Sequence, residues 1–173
     1  MELISPERRG ELIWAGSPFL KLELRDRYAI DDDLLRAWRS GDGEALAEYF
    51  APWVKRITSE VAAGRRVRRV RIVSEPLSEY QRTLLDVSDW GVDAGEELRW
   101  LPRRLVSGLP LPGNDCFVLD DSVIFNVLGG NDERTEIQLH HDPDTLKFCR
   151  DAFEAAWDLA TPHREFKSAA AKV

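Results

Sequence analysis

The sequence predicts an α+β fold: one mixed, largely antiparallel sheet with helices packed on it, ending in a three-strand meander and a long C-terminal helix. Three observations carry this. Apolar residues recur at helical spacing in some stretches (Trp53, Val54, Ile57, Val61) and alternate with polar ones in others (Leu20, Leu22, Leu24). Helical and strand patterns interleave at first, and tight turns then link three short apolar runs. The chain of 173 residues, 43% hydrophobic and 32% charged, is long enough to bury a core without disulfides or metals.

Ser5-Pro6-Glu7 starts the first helix: a hydroxyl cap, a proline at the first helical position and an acid at the positive dipole end. This helix carries Leu12, Ile13 and Trp14 and is expected to stop near Gly16-Ser17-Pro18. Phe19 to Leu24 alternates as a half-buried strand does. Asp31, Asp32 and Asp33 cap a short helix ending at Gly41, and a second short helix from Asp42 buries Leu46 and Phe50. A third runs from Pro52 to Ala63, with Gly64 placed for a left-handed end. Arg65 to Val73 is a strand by its β-branched content, ended by Glu75-Pro76. Ser78 caps a helix with Tyr80, Leu84, Leu85 and Val87 that runs out near Trp90-Gly91, and Glu97 to Leu101 is a short strand. Segment 106–115, rich in Gly and Pro, is a loop. The meander comprises Cys116–Leu119, Val123–Leu128 and Thr135–Leu139, with turns at Asp120-Asp121-Ser122 and Gly129-Gly130-Asn131-Asp132. Asp142-Pro143 opens the long helix, whose buried face is Leu146, Cys149, Phe153, Ala156, Trp157 and Ala160. Residues 1–162 are expected to form a single domain, helical to about 64 and sheet-rich over about 65–162, with 163–173 a flexible tail.

Composition excludes several classes. The net charge of −7 opposes a non-specific nucleic-acid coat, and Asp31, Asp32, Asp33, Asp42, Glu44 and Glu48 would repel phosphate from the only helices that imitate a DNA-reading unit. Direct nucleic-acid binding is therefore not expected. No apolar run reaches the roughly 18 residues of a membrane span, so no membrane partner is expected. The N-terminus shows no secretory pattern, and Cys116 and Cys149 make no disulfide framework, so a cytoplasmic location is expected.

Chemistry-bearing patterns are few. Arg65, Arg66, Arg68, Arg69 and Arg71 crowd one strand, on which Arg69 and Arg71 point one way and Arg68, Val70 and Ile72 the other. A guanidinium on a partly buried face needs a carboxylate, a phosphate or a π-face. The strand is thus either an anion-binding wall or the partner of internal acids such as Glu75, Asp93, Glu96 or Glu97. Trp53, Tyr80, Trp90 and Trp100 either floor a pocket or belong to the core. His140-His141-Asp142 is no metal site: adjacent histidines on a strand face opposite sides, and Asp142 reads as a helix cap. No Gly-x-Ser-x-Gly elbow and no glycine-rich phosphate loop occurs, and both cysteines sit in apolar patterns. No catalytic residue, metal ligand or cofactor is predicted.

The run GRRVRRVRIVSEP from Gly64 to Pro76, then Tyr80, then Ala94 to Arg99, resembles an actinobacterial family of unknown function. Glu23, Tyr28, Trp53 and the stretch Asp115 to Asp120 match it as well. The resemblance implies a companion of Xre-type helix-turn-helix regulators, with Arg69, Arg71, Glu75, Tyr80 and Glu96 as a signature surface. With Arg99 from the same run, these are the candidate ligand- or partner-binding residues. In the C-terminal third, CFVLDDSVIFNVL, TEIQL and the Asp-Pro helix resemble the closing unit of the phospholipase D fold. Setting the Asp of that superfamily's His-x-Lys-x-x-x-x-Asp motif on Asp121 puts Asn114 and Cys116 at the His and Lys places; setting it on Asp120 puts Gly113 and Asp115 there. Either register lacks the nucleophile, so this likeness implies a degenerate, non-catalytic unit.

The expected function is a non-catalytic regulatory or binding module. It would work with a helix-turn-helix regulator protein through docking, or bind an anionic small molecule. The alternative is an enzyme acting on a phosphorylated or carboxylated small molecule. There Arg69 and Arg71 would hold the anion, Tyr80 or Glu96 would do acid–base work, and loop 106–115 would be the lid. The two readings differ in space: a ligand site needs Arg69, Arg71, Tyr80 and Glu96 together in one concave pocket, whereas docking needs an exposed apolar patch.

Overall fold

The first two strands, β1 (Glu2–Leu3) and β2 (Phe19–Glu23), flank helix α1 (Pro6–Ala15). Helices α2 (Asp32–Ser40) and α3 (Gly43–Ala62) lead into β3 (Val67–Val73), and α4 (Glu79–Val87) and α5 (Asp89–Asp93) into β4 (Glu97–Pro102). The meander β5 (Asp115–Val118), β6 (Val123–Leu128) and β7 (Arg134–His140) follows, then α6 (Pro143–Leu159), β8 (Thr161–Pro162) and α7 (His163–Ala170). This computed structural model describes residues 1–15, 19–29 and 32–171. The expected helix stop at Gly16-Ser17-Pro18 and the capping role of Asp31 lie outside the described residues.

The strands form one sheet in the order β1-β7-β6-β5-β2-β3-β4-β8. Only β2–β3 and β3–β4 are parallel, each joined by the helical crossover that a parallel pair requires. The remaining neighbours are antiparallel, so the sheet is mixed and largely antiparallel, as the sequence predicts.

The two faces of the sheet differ. On one, α6 lays Cys149, Phe153, Ala156 and Trp157 on Leu20, Leu22, Val70, Ile72, Cys116 and Val118 in a continuous apolar core. On the other, the core is divided. One cluster joins α2 and α4 to Val73, Leu98 and Trp100; the second joins α1 and Ile57 of α3 to Phe19, Val67, Phe117 and Ile124. The central strands between these clusters carry Lys21, Glu23, Arg69 and Arg71 on this face.

Three local expectations are corrected. Strand β2 is not half-buried, because Phe19 and Glu23 on the non-leucine face are buried too. The helices expected at Asp42 and at Pro52 are one helix, α3, with Pro52 inside it. Pro52 forfeits one backbone bond, but Phe50 on one side and Trp53 and Ile57 on the other dock into the two clusters and hold both halves in line. The expected helix after Ser78 is two, α4 and α5, while Gly64 does take the left-handed conformation at the end of α3, with φ +82°.

The end of the chain is the fourth correction. Residues 163–170 are a docked helix and no loose tail. His163 is buried; its Nδ1 accepts from Trp100 Nε1 at 2.9 Å, and its Nε2 lies 2.9 Å from Asp89 Oδ1. Because an indole N–H only donates, the imidazole proton sits on Nε2 and is donated to Asp89. Phe166 stacks on Trp100 at 5.4 Å, and Lys167 reaches the other Asp89 oxygen at 2.7 Å. Two side chains on one indole secure the helix, a contact with no periodic signature.

Burial outweighs the pull of Asp89 and lowers the His163 pKa below its ordinary 6.5. A histidine depressed in the folded state contributes stability that is complete above the unfolded value and is lost as pH falls below it. In paired urea unfolding curves from pH 7.5 to 5, wild type should therefore lose stability relative to His163→Ala. At pH 7.5 the substitution should cost about 1–3 kcal/mol, the cost of an orphaned buried donor.

Candidate functional site

Register places the charges. In the parallel pair β2–β3, Lys21 lies beside Arg69 and Glu23 beside Arg71, and the two-residue period of a strand puts all four on one face. Glu23 is the hub. Its Oε1 is 2.5 Å from Lys21 Nζ and 3.2 Å from Arg69 Nη1, and its Oε2 is 2.7 Å from Arg71 Nε. Burial opposes ionisation of Glu23, but the three cations prevail and hold its carboxyl well below the usual carboxylate range.

Each arginine has further partners. Arg69 Nε is 2.6 Å from Glu96 Oε1, and its guanidinium lies 4.7 Å from the centre of the Trp53 ring. Trp53 Nε1 in turn donates to Glu96 Oε2 at 2.9 Å. Arg71 donates to Ser88 Oγ at 2.8 Å and lies over Trp100 at 5.2 Å. Gly91 admits Glu96 to this group: a Cβ at Gly91 would sit 2.6 Å from Glu96 Oε2.

Next to the hub, Asp115 opens β5. Its Oδ1 accepts from the Leu24 backbone N–H at 2.7 Å, and its Oδ2 accepts from the Tyr28 hydroxyl. Burial, helped by the Glu23 charge, pushes the Asp115 pKa up to about 6 against the lowering effect of these bonds. Burial and the neighbouring carboxylates push the Tyr28 phenol well up. Tyr28 meets Tyr80 edge to face at 5.8 Å.

These groups floor a cleft of about 780 Å³. Trp14, Tyr49, Phe50, Trp53 and Phe117 supply aromatic walls, while Arg9, Gly10, Asn126 and Arg134 line the side formed by α1, β6 and β7.

Of the six residues singled out from sequence, the cleft unites Arg69, Arg71, Tyr80 and Glu96. Glu75 lies in the turn after β3 and pairs with Arg104 at 2.6 Å on the surface. Arg99 sits on the α6 face, 4.2 Å from the Trp157 ring centre, donating to the Trp157 carbonyl. Strand alternation explains this: Trp100 faces Arg71, so Arg99 points the opposite way. Loop 106–115 supplies no lid, since Leu109 and Leu111 pack into the α6-side core. Only Asp115, at its end, reaches the cleft.

Both readings of the arginine strand meet here. The guanidiniums pair with internal acids, and they line a cavity. Glu96 is one of the acids expected from sequence; Glu97 instead pairs with Arg66 at 2.7 Å, and Asp93 with Arg164. The main acid, Glu23, escapes sequence reasoning because a charged residue alternating with leucines reads as solvent-facing. Lys21, Asp115, Arg9 and Arg134 are missed for want of any local pattern.

Glu23, held well below the usual carboxylate range by its three cations, is a poor base. Asp115 with Tyr28 is the group able to exchange a proton near neutral pH. Cys116 and Cys149 are buried on the other face, and the hydrogen bond with Cys149, together with burial, drives the Cys116 thiol up, away from nucleophilic character. Asp142 is the helix cap expected of it, accepting from Thr145 N at 2.8 Å. Among the described residues no cluster of three His, Cys, Asp or Glu could hold a metal, and no helix is long and apolar enough to cross a membrane.

Removing the hub carboxylate would leave Lys21 and Arg71 without a carboxylate and Arg69 with Glu96 alone, so Glu23→Gln should lower stability by about 3–5 kcal/mol in urea unfolding at pH 7. An acid raised in the folded state contributes stability that is complete below its unfolded pKa and lost as pH rises through the folded one. From 3.8 to about 6, this contribution of Asp115 should fade. Wild type should accordingly gain on the order of 3 kcal/mol over Asp115→Asn between pH 7 and pH 4, read from paired denaturation curves.

The chain belongs to the family described as Domain of unknown function (DUF6879), whose model matches residues 14–168. No curated protein and no solved structure gives a significant match, so the phospholipase D likeness gains no support.

Proposed function

We propose that this chain is a non-catalytic binding module that takes an anionic small molecule into the cleft and relays its occupancy to a helix-turn-helix regulator. The observation that carries the ligand half is the meeting of Arg69, Arg71, Tyr80 and Glu96 in one concave site with aromatic walls. That is the spatial condition for a ligand pocket and not for a flat docking patch.

Energetics supports it. Buried ion pairs are seldom more stable than apolar side chains of similar volume, and this set divides what could be one apolar core. A pocket that needs polar recognition explains why such a floor is retained. Protonation tips the floor toward anions: Lys21, Arg69 and Arg71 balance Glu23, Glu96 and ionised Asp115, and a proton on Asp115 leaves one positive charge in excess. The regulatory half, the actinobacterial setting and the cytoplasmic location rest on the resemblance and composition of the sequence alone.

A second reading is favoured by one observation, the Asp115–Tyr28 pair facing the cleft. In an enzyme acting on a phosphorylated or carboxylated small molecule, Asp115 would be the proton donor, since Glu96 is held by Arg69 and Trp53.

The test is a thermal-shift panel of phosphorylated and carboxylated metabolites. A compound at ~100 times its dissociation constant should stabilise the protein by about 2.7 kcal/mol. The shift should vanish in Arg71→Gln, checked by circular dichroism to remain folded. No shift across the panel overturns the ligand reading. Turnover of a bound compound, lost in Asp115→Asn, would replace the binding module with the enzyme.

A further inference from the structure

The arginines that crowd β3 are neutralised where they stand, by Glu23 and Glu96. Two other arginines on the cleft are not. Arg9, on α1, donates from Nη1 to Asn126 Oδ1 at 2.9 Å and has no carboxylate partner among the described residues. Its Nε is shielded from solvent without a hydrogen-bond partner. Arg134, exposed at the start of β7, lines the same cleft, and its side chain makes no hydrogen bond or ion pair among the described residues. The neighbouring Glu133 carboxylate is engaged by the Asn131 amide. Burial and the charge of Arg134 together push the Arg9 pKa down to about 10. Two like charges are thus held near each other, one partly desolvated, in a chain whose net charge is −7. That arrangement is unfavourable until an anion joins it.

Gly10 adds an independent observation. It lies inside α1, where glycine costs roughly 0.5–1 kcal/mol relative to alanine. No packing contact asks for it, because a Cβ at Gly10 would meet nothing within 4 Å. Gly10 lines the cleft beside Arg9.

We infer that Arg9, Arg134 and Asn126 form an anion subsite on the α1 side of the cleft, kept open by Gly10, for the phosphate of a phosphorylated small molecule. This deepens the ligand reading above and rests on it. A phosphate dianion matches two unneutralised guanidiniums in charge and offers oxygens enough for both forks. The body of the ligand would lie on the aromatic wall of Trp14 and Trp53.

The probes are inorganic phosphate and pyrophosphate, titrated calorimetrically into the full chain against chloride at matched ionic strength. Pyrophosphate should bind saturably. Arg9→Gln and Arg134→Gln should each weaken it by roughly tenfold or more, the loss of a charge-assisted contact. Gly10→Leu should abolish binding by occupying the space, with a melting temperature no lower than that of wild type, which separates blockage from unfolding. Pyrophosphate binding that ignores both arginine substitutions overturns the subsite. So does a panel compound that keeps its affinity in both variants, and that result leaves the cleft reading standing. If neither pyrophosphate nor any panel compound binds, both readings fall.

Discussion

The carboxylate of Glu23, gripped by Lys21, Arg69 and Arg71 in the middle of the sheet, is the contact on which the rest of the structure depends. Three cations on adjacent central strands would repel one another and resist burial, and one acid makes their coexistence on a single face tolerable. The parallel register of β2 and β3 makes this possible, because it sets Glu23 directly beside Arg71. A one-residue slip would turn Glu23 toward α6 and leave the arginines facing the helices alone.

That charged lane explains the asymmetry of the molecule. The α6 face carries a continuous apolar core, with the Arg68 and Arg99 guanidiniums over Trp157, and seals against one long helix. The opposite face cannot be sealed the same way, since helices packed flat over the lane would strip its remaining hydration. Two apolar clusters form instead, one on each side, and α3 bridges them with Phe50 in one and Trp53 and Ile57 in the other. The cleft is what is left between them. Stability resides mainly in the α6 core and the two flanking clusters, and the polar groups available for chemistry gather where packing is interrupted.

Within the cleft the charges have two characters. Those on β2 and β3 are locked to each other and define shape and polarity. Asp115, Arg9 and Arg134 are less constrained: the first takes up a proton at about pH 6, and the other two lack a carboxylate among the described residues. An anion arriving beside Asp115 would favour its protonated form, so ligand uptake and proton uptake are physically linked here.

Much of this was legible in the linear chain. The α+β class, the meander, the capped long helix and its buried face follow from periodicity and turn chemistry, which act over a few residues. So does the alternation that turns Arg69 and Arg71 one way and Arg68 the other. The resemblance found in sequence also quoted Glu23, Tyr28, Trp53 and Asp115, all of which line the cleft. What periodicity could not supply was partnership. Nothing local says that Glu23 meets Arg71, with 47 residues between them, while Glu75, four residues from Arg71, goes to Arg104 on the surface. Nor does any pattern in 163–173 announce that His163 and Phe166 will close on Trp100. The sequence by itself determined most of the helices and strands, though not α7, and the way the side chains of β3 face. The tertiary structure alone decided which charges pair, where the core divides and which arginines remain unneutralised, because ion pairing and cavity formation depend on strand order and register across the whole sheet.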